Sequence, residues 1–138
     1  MTLTRRYRFS ASHRLHASQL TDEQNSRLYG KCNHPYGHGH DYVLDVSVRG
    51  PLDAATGRIV DLDTLDTLVA REVLAPFEHR NLNIEVDAFR GTVPTTENLA
   101  VEIRGRLDRA WPAAFGQRGP RLDRIRIEET KRNHIELA

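Results

Sequence analysis

The sequence predicts an α+β protein in which helices cover one face of an antiparallel sheet. Three stretches alternate apolar and polar residues with the period of a strand, and two others repeat apolar residues with the period of a helix. The strand-like and helix-like stretches are largely segregated along the chain. Segregation of this kind favours the α+β class over a parallel α/β sheet.

Each predicted strand is defined by residues of one parity. In the first strand these are Tyr7, Phe9, Ala11 and His13. In the second they are His38, His40, Tyr42, Leu44, Val46 and Val48, and in the third they are Ile125, Ile127 and Glu129. Polar residues tend to fill the other parity of the second strand. A further short strand at 58–60, after a turn at Gly57, would pair with the second strand as a hairpin.

Two helices and one short helical turn complete the predicted elements. The first helix is expected over about 62–75, with Asp61 or Asp63 as its cap and Pro76 after its end. The second is expected over about 96–110, with Thr95 as its N-cap and Glu97 in the first turn. The short turn covers 22–28. A chain of 138 residues suits one domain, 1–138.

The composition excludes several classes of function. A net charge of +1 supplies no strong field for nucleic acid, and no apolar run is long enough to cross a membrane. The first residues do not form a signal peptide, and the single cysteine, Cys32, allows no internal disulfide. These observations predict a cytoplasmic protein without nucleic-acid or membrane partners. A small polar domain also leaves room for stabilisation by oligomerisation.

Four polar residues lie in phase with the predicted apolar faces. They are His13, His38, His40 and Glu129. A buried ionisable group is costly unless it is paired or bound to a metal. His-x-His on a strand directs both imidazoles to one side, and a third imidazole from a neighbouring strand would leave one position open on a zinc ion, as catalytic zinc sites do. Histidines that are merely hydrogen-bonded are the alternative.

Two further places are candidates for proton transfer. Cys32 lies beside Lys31 in a loop rich in Gly and Pro, where a lowered pKa would make it a thiolate base. A buried, inert thiol is the alternative. Glu78 precedes His79 after the first helix, and a carboxylate beside an imidazole can tune proton transfer. A solvated pair without a catalytic role is the alternative there.

Seven segments, in order along nearly the whole chain, resemble the 6-pyruvoyl-tetrahydropterin synthase family, which has a 6-carboxy-tetrahydropterin synthase branch. They are FSASHRL (9–15), GKCN (30–33), GHGHDY (37–42), DAATG (53–57), EHRNLN (78–83), PTTENLA (94–100) and ET (129–130). The resemblance implies a tunnelling fold, with two helices on one face of a four-stranded antiparallel sheet. It also implies that three chains form a barrel, that two barrels stack as a homohexamer, and that active sites lie between subunits.

The resemblance assigns roles residue by residue. The implied zinc ligands are His13, His38 and His40. The implied catalytic groups are Cys32 and His79, with Glu78 where the family usually has an aspartate. The implied substrate contacts are Glu129, which would anchor the pterin ring, and Thr95, Thr96 and Glu97, which would line its pocket. Arg14 and Lys31 are candidates for the triphosphate of the substrate on charge alone.

The implied activity is that of a zinc-dependent lyase that converts 7,8-dihydroneopterin triphosphate to 6-pyruvoyl-tetrahydropterin and triphosphate. The Cys32-x5-His38-Gly39-His40 spacing favours this product. The alternative is 6-carboxy-tetrahydropterin synthase of queuosine biosynthesis, which usually has Cys-x3-His-Gly-His and also releases acetaldehyde. A zinc hydrolase, which would leave Cys32 and Glu129 without tasks, and a non-catalytic pterin-binding module are more distant alternatives.

Overall fold

The computed structural model describes residues 1–138 and shows a five-stranded sheet with helices packed on one face. The strands are β1 (Thr2–His13), β2 (His38–Arg49), β3 (Arg80–Asn81), β4 (Arg121–Thr130) and β5 (Asn133–Leu137). The α-helices are α1 (Asp22–Tyr29), α2 (Leu62–Val69), α3 (Ala75–Phe77), α4 (Leu82–Glu85) and α5 (Thr96–Phe115). Gly30–Asn33 and Asp87–Phe89 form 3-10 turns, and Ala70–Leu74 forms a π-helical turn. None of the helices combines the length and the apolar character needed to cross a bilayer.

The strands lie in the order β3-β1-β2-β4-β5. All neighbours are antiparallel except β3, which runs parallel to β1 and pairs only with Ala11 and Ser12. The β1–β2 ladder is continuous from Thr2↔Arg49 to His13↔His38. The α+β class is therefore confirmed, whereas the sheet is mixed and has five strands instead of four antiparallel ones.

The core lies between one face of the sheet and the helices α2 and α5. The sheet contributes Phe9, Ala11, Tyr42, Leu44, Val46, Val48, Ile125 and Ile127 to it. The helices contribute Leu65, Leu68, Val69, Leu99, Ala100, Ile103, Leu107 and Trp111. The period-two and helical patterns therefore predicted the buried faces correctly, because each element buries the side on which its apolar residues recur.

The opposite face of the sheet is polar, as predicted for β2, but part of it is buried. Asp45 is only 8% exposed. Its carboxylate accepts hydrogen bonds from Arg6 Nε and Nη2 at 2.8 and 3.0 Å, and Arg126 Nη1 lies 3.5 Å away. The hydrogen bonds from Arg6 hold the pKa of Asp45 below its usual value. The buried carboxylate is therefore kept ionised by two guanidinium groups from neighbouring strands.

Both long helical segments extend beyond their predicted ends. The first segment continues through Pro76 and ends at Phe77. The π turn at Ala70–Leu74, just before the proline, changes the spacing of the backbone hydrogen bonds there. The second continues past Ala110 and contains Pro112. Trp111 extends its buried face, and Trp111 Nε1 donates to the Pro120 carbonyl at 2.8 Å. The short helix α1 confirms the predicted turn at 22–28.

The predicted strand at 58–60 is wrong. Both edges of β2 are already paired, one with β1 and the other with β4, so no edge remains for a hairpin partner. The loop is closed on itself instead. Asp53 N–H donates to the Arg58 carbonyl at 2.9 Å, and Asp53 Oδ1 accepts from the N–H groups of Ala55 and Thr56.

Candidate active site

Three imidazoles and one thiol meet where β1 ends and β2 begins. The register pairs His13 with His38 and Ala11 with His40, so the strand ladder itself brings the three histidines to one place. The nearest ligand atoms of His13, Cys32, His38 and His40 all lie within 4.8 Å of one another. The structure thus brings together the three residues that the sequence singles out as zinc ligands.

Two ring nitrogens in this cluster are buried without a hydrogen-bond partner, His13 Nε2 and His40 Nε2. His13 Nδ1 donates to the Pro94 carbonyl at 2.9 Å, so the neutral ring presents an unprotonated Nε2 to the cluster. Burial lowers the pKa of His13 to about 4, with further lowering from His40 and His38. Burial also lowers the pKa of His40. Both rings are therefore neutral at pH 7, which is the state in which imidazole binds a metal.

The donor set fits a divalent transition metal. Neutral imidazoles suit zinc, copper, iron and nickel, and an unpaired lone pair in a buried site is satisfied when it binds such an ion. The third imidazole differs from the other two, because its Nε2 has a contact. His38 Nε2 lies 3.0 Å from Cys32 Sγ within the same cluster. We conclude that this cluster is a candidate metal site.

Glu129 lies beside two of the three imidazoles. Its Oε1 is 3.3 Å from His40 Nε2 and 3.6 Å from His13 Nε2, without the geometry of a hydrogen bond to either. The β4–β5 register shifts between Glu128 and Thr130, and such an irregularity can redirect a side chain next to a site. The structure therefore places the predicted ring anchor at the edge of the imidazole cluster.

Cys32 lies in the 3-10 turn between α1 and β2. Its carbonyl accepts from Leu15 N–H at 2.7 Å, which ties the turn to the segment after His13. Burial, followed by the negative charge of Glu129, raises the pKa of the Cys32 thiol. The prediction that Lys31 lowers the pKa of Cys32 is therefore wrong as far as the groups of the chain itself are concerned. Lys31 is exposed and does not contribute to the shift.

Side-chain amides and one glycine hold the loops around the site. Asn33 Nδ2 donates to the Leu15 carbonyl at 2.7 Å, and Asn83 bonds both the N–H and the carbonyl of Arg14 at 2.7 and 2.9 Å. Gly37 has a φ of +70°, and a Cβ there would overlap the His13 carbonyl. These structural roles were not predicted, because residues that fix loops follow no period. The available signal was that Asn33, Gly37 and Asn83 each lie in one of the seven family motifs.

The Glu78–His79 pair forms, without a hydrogen bond or ion pair to the thiol of Cys32. His79 Nε2 is 2.9 Å from Glu78 Oε1, and the Ser10 backbone bonds both His79 N–H and Glu78 Oε2. His79 has a φ of +56°, which is a strained conformation for a residue other than glycine, and its side chain is 79% exposed. It borders a cavity that Ser10, Asp41 and the candidate ligand His40 also line, and no hydrogen bond or ion pair joins it to Cys32.

The 95–97 segment begins α5 beside the imidazole cluster. Thr95 Oγ1 accepts from Asn98 N–H at 3.2 Å, which confirms the predicted N-cap. Thr96 is buried and Glu97 is exposed in the first turn. The carbonyl of the preceding Pro94 holds His13, so the start of α5 also orients a candidate metal ligand. This contact left no signal in the sequence, because it uses a backbone atom.

The chain matches a known protein family along nearly its whole length. A family model described as 6-pyruvoyl tetrahydropterin synthase matches residues 2–138. The chain belongs to this family. A 6-pyruvoyl tetrahydrobiopterin synthase of Poecilia reticulata is 44% identical over 133 residues, covering 96% of this chain and 86% of the relative. The solved 6-pyruvoyl tetrahydropterin synthase of Caenorhabditis elegans superposes with a TM-score of 0.87 at 37% identity, covering 99% of this chain and 94% of that one.

The 6-pyruvoyl tetrahydropterin synthase family also contains more distant relatives. A 6-carboxy-5,6,7,8-tetrahydropterin synthase of Rickettsia typhi is 22% identical over 149 residues, covering 97% of each chain. The family resemblance carried by the seven motifs is therefore confirmed. The identity to the Poecilia reticulata protein is twice as high, which agrees with the branch favoured by the spacing between Cys32 and His38.

Proposed function

We propose that this chain is a zinc-dependent lyase that converts 7,8-dihydroneopterin triphosphate to 6-pyruvoyl-tetrahydropterin with release of triphosphate. The observation that carries the proposal is the meeting of His13, His38 and His40 with the thiol of Cys32 and the carboxylate of Glu129. The similarity to named 6-pyruvoyl tetrahydrobiopterin synthases supports it. The active unit would be one domain over residues 1–138.

Glu129 would bind the pterin ring. A carboxylate can accept two hydrogen bonds from adjacent N–H donors, which orients a planar ring strongly. The side chain of Glu129 is 14% exposed, so it is shielded on most sides while keeping an open approach. A ring held there would bring the hydroxylated side chain of the substrate to the imidazole cluster.

Cys32 would remove a carbon-bound proton from the substrate side chain. A zinc ion held by His13, His38 and His40 would supply a Lewis acid that acidifies the hydroxyl and carbon-bound protons beside it. The thiol of Cys32 lies at the same place, so a proton released there has an acceptor within reach once the thiol is ionised. Elimination of triphosphate and tautomerisation then give the product, and no redox cofactor is consumed because the hydrogens move within the substrate.

Glu78 and His79 would act on a neighbouring subunit. Their polar contacts within the chain are with each other and with the Ser10 backbone, not with Cys32, so we assign their role in the reaction to a second copy of the chain. A homohexamer built as a dimer of trimers, as the family resemblance implies, would supply that copy. The strained and exposed His79 fits a group that is presented to a partner, and Glu78 would orient its imidazole. A reducing compartment such as the cytoplasm would keep Cys32 as a free thiol.

The proposed reaction is tested by one incubation of zinc-loaded protein with 7,8-dihydroneopterin triphosphate. We expect release of inorganic triphosphate and 6-pyruvoyl-tetrahydropterin without acetaldehyde, measured by chromatography and an aldehyde assay. Stoichiometric acetaldehyde would instead assign the 6-carboxy reaction. Binding of the substrate without any product would indicate a pterin-binding module, and hydrolysis of phosphate from an unchanged side chain would indicate a hydrolase.

Replacement of Glu129 by Gln is expected to weaken binding of the substrate while the metal stays bound. The amide loses the negative charge and one acceptor site, and hydrogen bonds to a charged group contribute roughly 1.5–3 kcal/mol, which corresponds to about 10–100-fold in affinity. Titration calorimetry with neopterin measures the effect. Glu128→Gln is the matched control, because that carboxylate lies on the polar face near Arg126. Loss of metal from Glu129→Gln would show that Glu129 is a ligand instead.

A further inference from the structure

A polar cavity adjoins the candidate active site on the side of His38. It has a volume of about 590 Å³, within the range of small-molecule binding clefts. The residues that line it are Ser26, Gly30, Lys31, Asn33, His34, Pro35, Gly37 and His38. It contains no carboxylate and no large apolar side chain, which is unsuited to a pterin ring and suited to an anion.

The cavity and Glu129 meet different imidazoles of the cluster. Glu129 is within 4.0 Å of His13 and His40, but it makes no such contact with His38. The cavity, in contrast, is lined by His38 and by neither of the other two imidazoles. The order across the site is therefore carboxylate, imidazoles, then cavity. The proposed substrate has the same order, with a ring, a hydroxylated side chain and a terminal triphosphate.

The cavity presents hydrogen-bond donors that no group of the chain uses. Lys31 is in none of the ion pairs of the structure, whereas Arg27 on the adjoining helix α1 is paired with Glu23 at 3.1 Å. His34 Nδ1 accepts from Tyr36 N–H at 3.3 Å, which leaves Nε2 as the ring nitrogen that can donate to an occupant. An ammonium group and an N–H at one wall are a suitable pair of contacts for a phosphate.

Arg14 is the other cation that the sequence offers for this task. Its Nε donates to the Asn33 carbonyl at 3.2 Å, and Arg14 does not line the cavity. Arg14 therefore bonds a lining residue without lining the cavity itself, which leaves Lys31 as the cation that an occupant would contact.

We propose that this cavity receives the triphosphate group of the substrate, with Lys31 as its main cation and His34 as a second donor. The inference rests on the proposed function for the identity of the substrate, but the anion site itself stands on the lining, the charge and the position of the cavity. It assigns Lys31 to binding of the leaving group and not to the chemistry at the ring side chain.

The test compares the wild-type protein with Lys31→Gln and Lys31→Arg. We measure KM for 7,8-dihydroneopterin triphosphate, the binding of inorganic triphosphate by calorimetry, and the Kd of neopterin, which lacks phosphate. Lys31→Gln is expected to raise KM and to weaken triphosphate binding by about 10–100-fold, the range for a hydrogen bond to a charged group. The Kd of neopterin should stay within about twofold, and Lys31→Arg should recover most of the loss.

Arg27→Gln is the matched control, since it removes the same charge from a neighbouring, 80% exposed and already paired position. Unchanged triphosphate binding in Lys31→Gln would overturn the inference, and so would an equal loss of neopterin affinity or a loss equal to that of Arg27→Gln. A wild-type protein that binds inorganic triphosphate through Lys31 but neither binds neopterin nor turns over the substrate would contradict the proposed function while supporting the anion site.

Discussion

Replacement of His40 by Ala is expected to leave the protein folded but without its metal and without turnover. The His40 Nε2 atom makes no hydrogen bond in the chain, so its removal breaks no internal hydrogen bond of that nitrogen. Two imidazoles would remain, which is too few for a stable zinc site. Mutation of residues that only hydrogen-bond the metal ligands already lowers metal affinity or activity about 10–100-fold. Loss of a ligand itself should therefore lower metal affinity by more than ~100-fold. Metal content per chain and the initial rate measure both effects.

His134→Ala is the control for this substitution, because His134 is an exposed histidine on β5. It should keep full metal content and rate. Thermal unfolding monitored by circular dichroism shows whether His40→Ala is folded. A folded His40→Ala protein with one zinc per chain would contradict the metal assignment, and a normal rate in that protein would contradict the mechanism as well.

Replacement of Cys32 by Ala is expected to keep the metal and to abolish turnover. Loss of a general base typically costs 10²–10⁴-fold, so we expect a fall in kcat of roughly this size with little change in the Kd of neopterin. The reason is positional, since Cys32 Sγ lies 3.0 Å from His38 Nε2, where the substrate side chain would be held. Single-turnover measurements on zinc-loaded protein separate this loss of chemistry from a loss of binding.

The same substitution decides between two roles of the thiol. Cys32 lies close enough to the imidazoles to be a fourth ligand, which would close the metal site and remove the open position that catalysis needs. Cys32→Ser supplies a hydroxyl of similar size that can still contact His38 but is a far weaker base. Retention of metal with loss of rate in both variants supports the base. Loss of metal in both would make Cys32 a structural ligand.

The site was predictable from the sequence wherever it rests on strands. A period of two fixes which residues share a face, so the phase of His13, His38 and His40 with apolar neighbours was enough to expect them together. Their coming together in the structure follows from the β1–β2 register. The α+β class followed from the same patterns, and the family followed from motifs along the whole chain.

Other parts of the structure could not be predicted, for physical reasons. The two-residue strand β3 is too short to show a period, and the strand expected at 58–60 failed because its intended partner has no free edge. The raised pKa of Cys32 depends on burial and on Glu129, which is far away in sequence. The hydrogen bond from His13 to the Pro94 carbonyl uses a backbone atom. Every residue has a backbone carbonyl, so the sequence does not reveal which one binds His13.

The continuous pairing of β1 with β2 also limits how this protein can change length during evolution. Inserting or deleting one residue between His40 and Leu44 would turn both β2 histidines to the polar side of the sheet, even if the remaining strand still paired. The segment after Arg49 has no such constraint, because it pairs with no strand before α2 begins. We therefore expect insertions in that loop to be tolerated better than a one-residue change in the ladder that aligns the imidazoles.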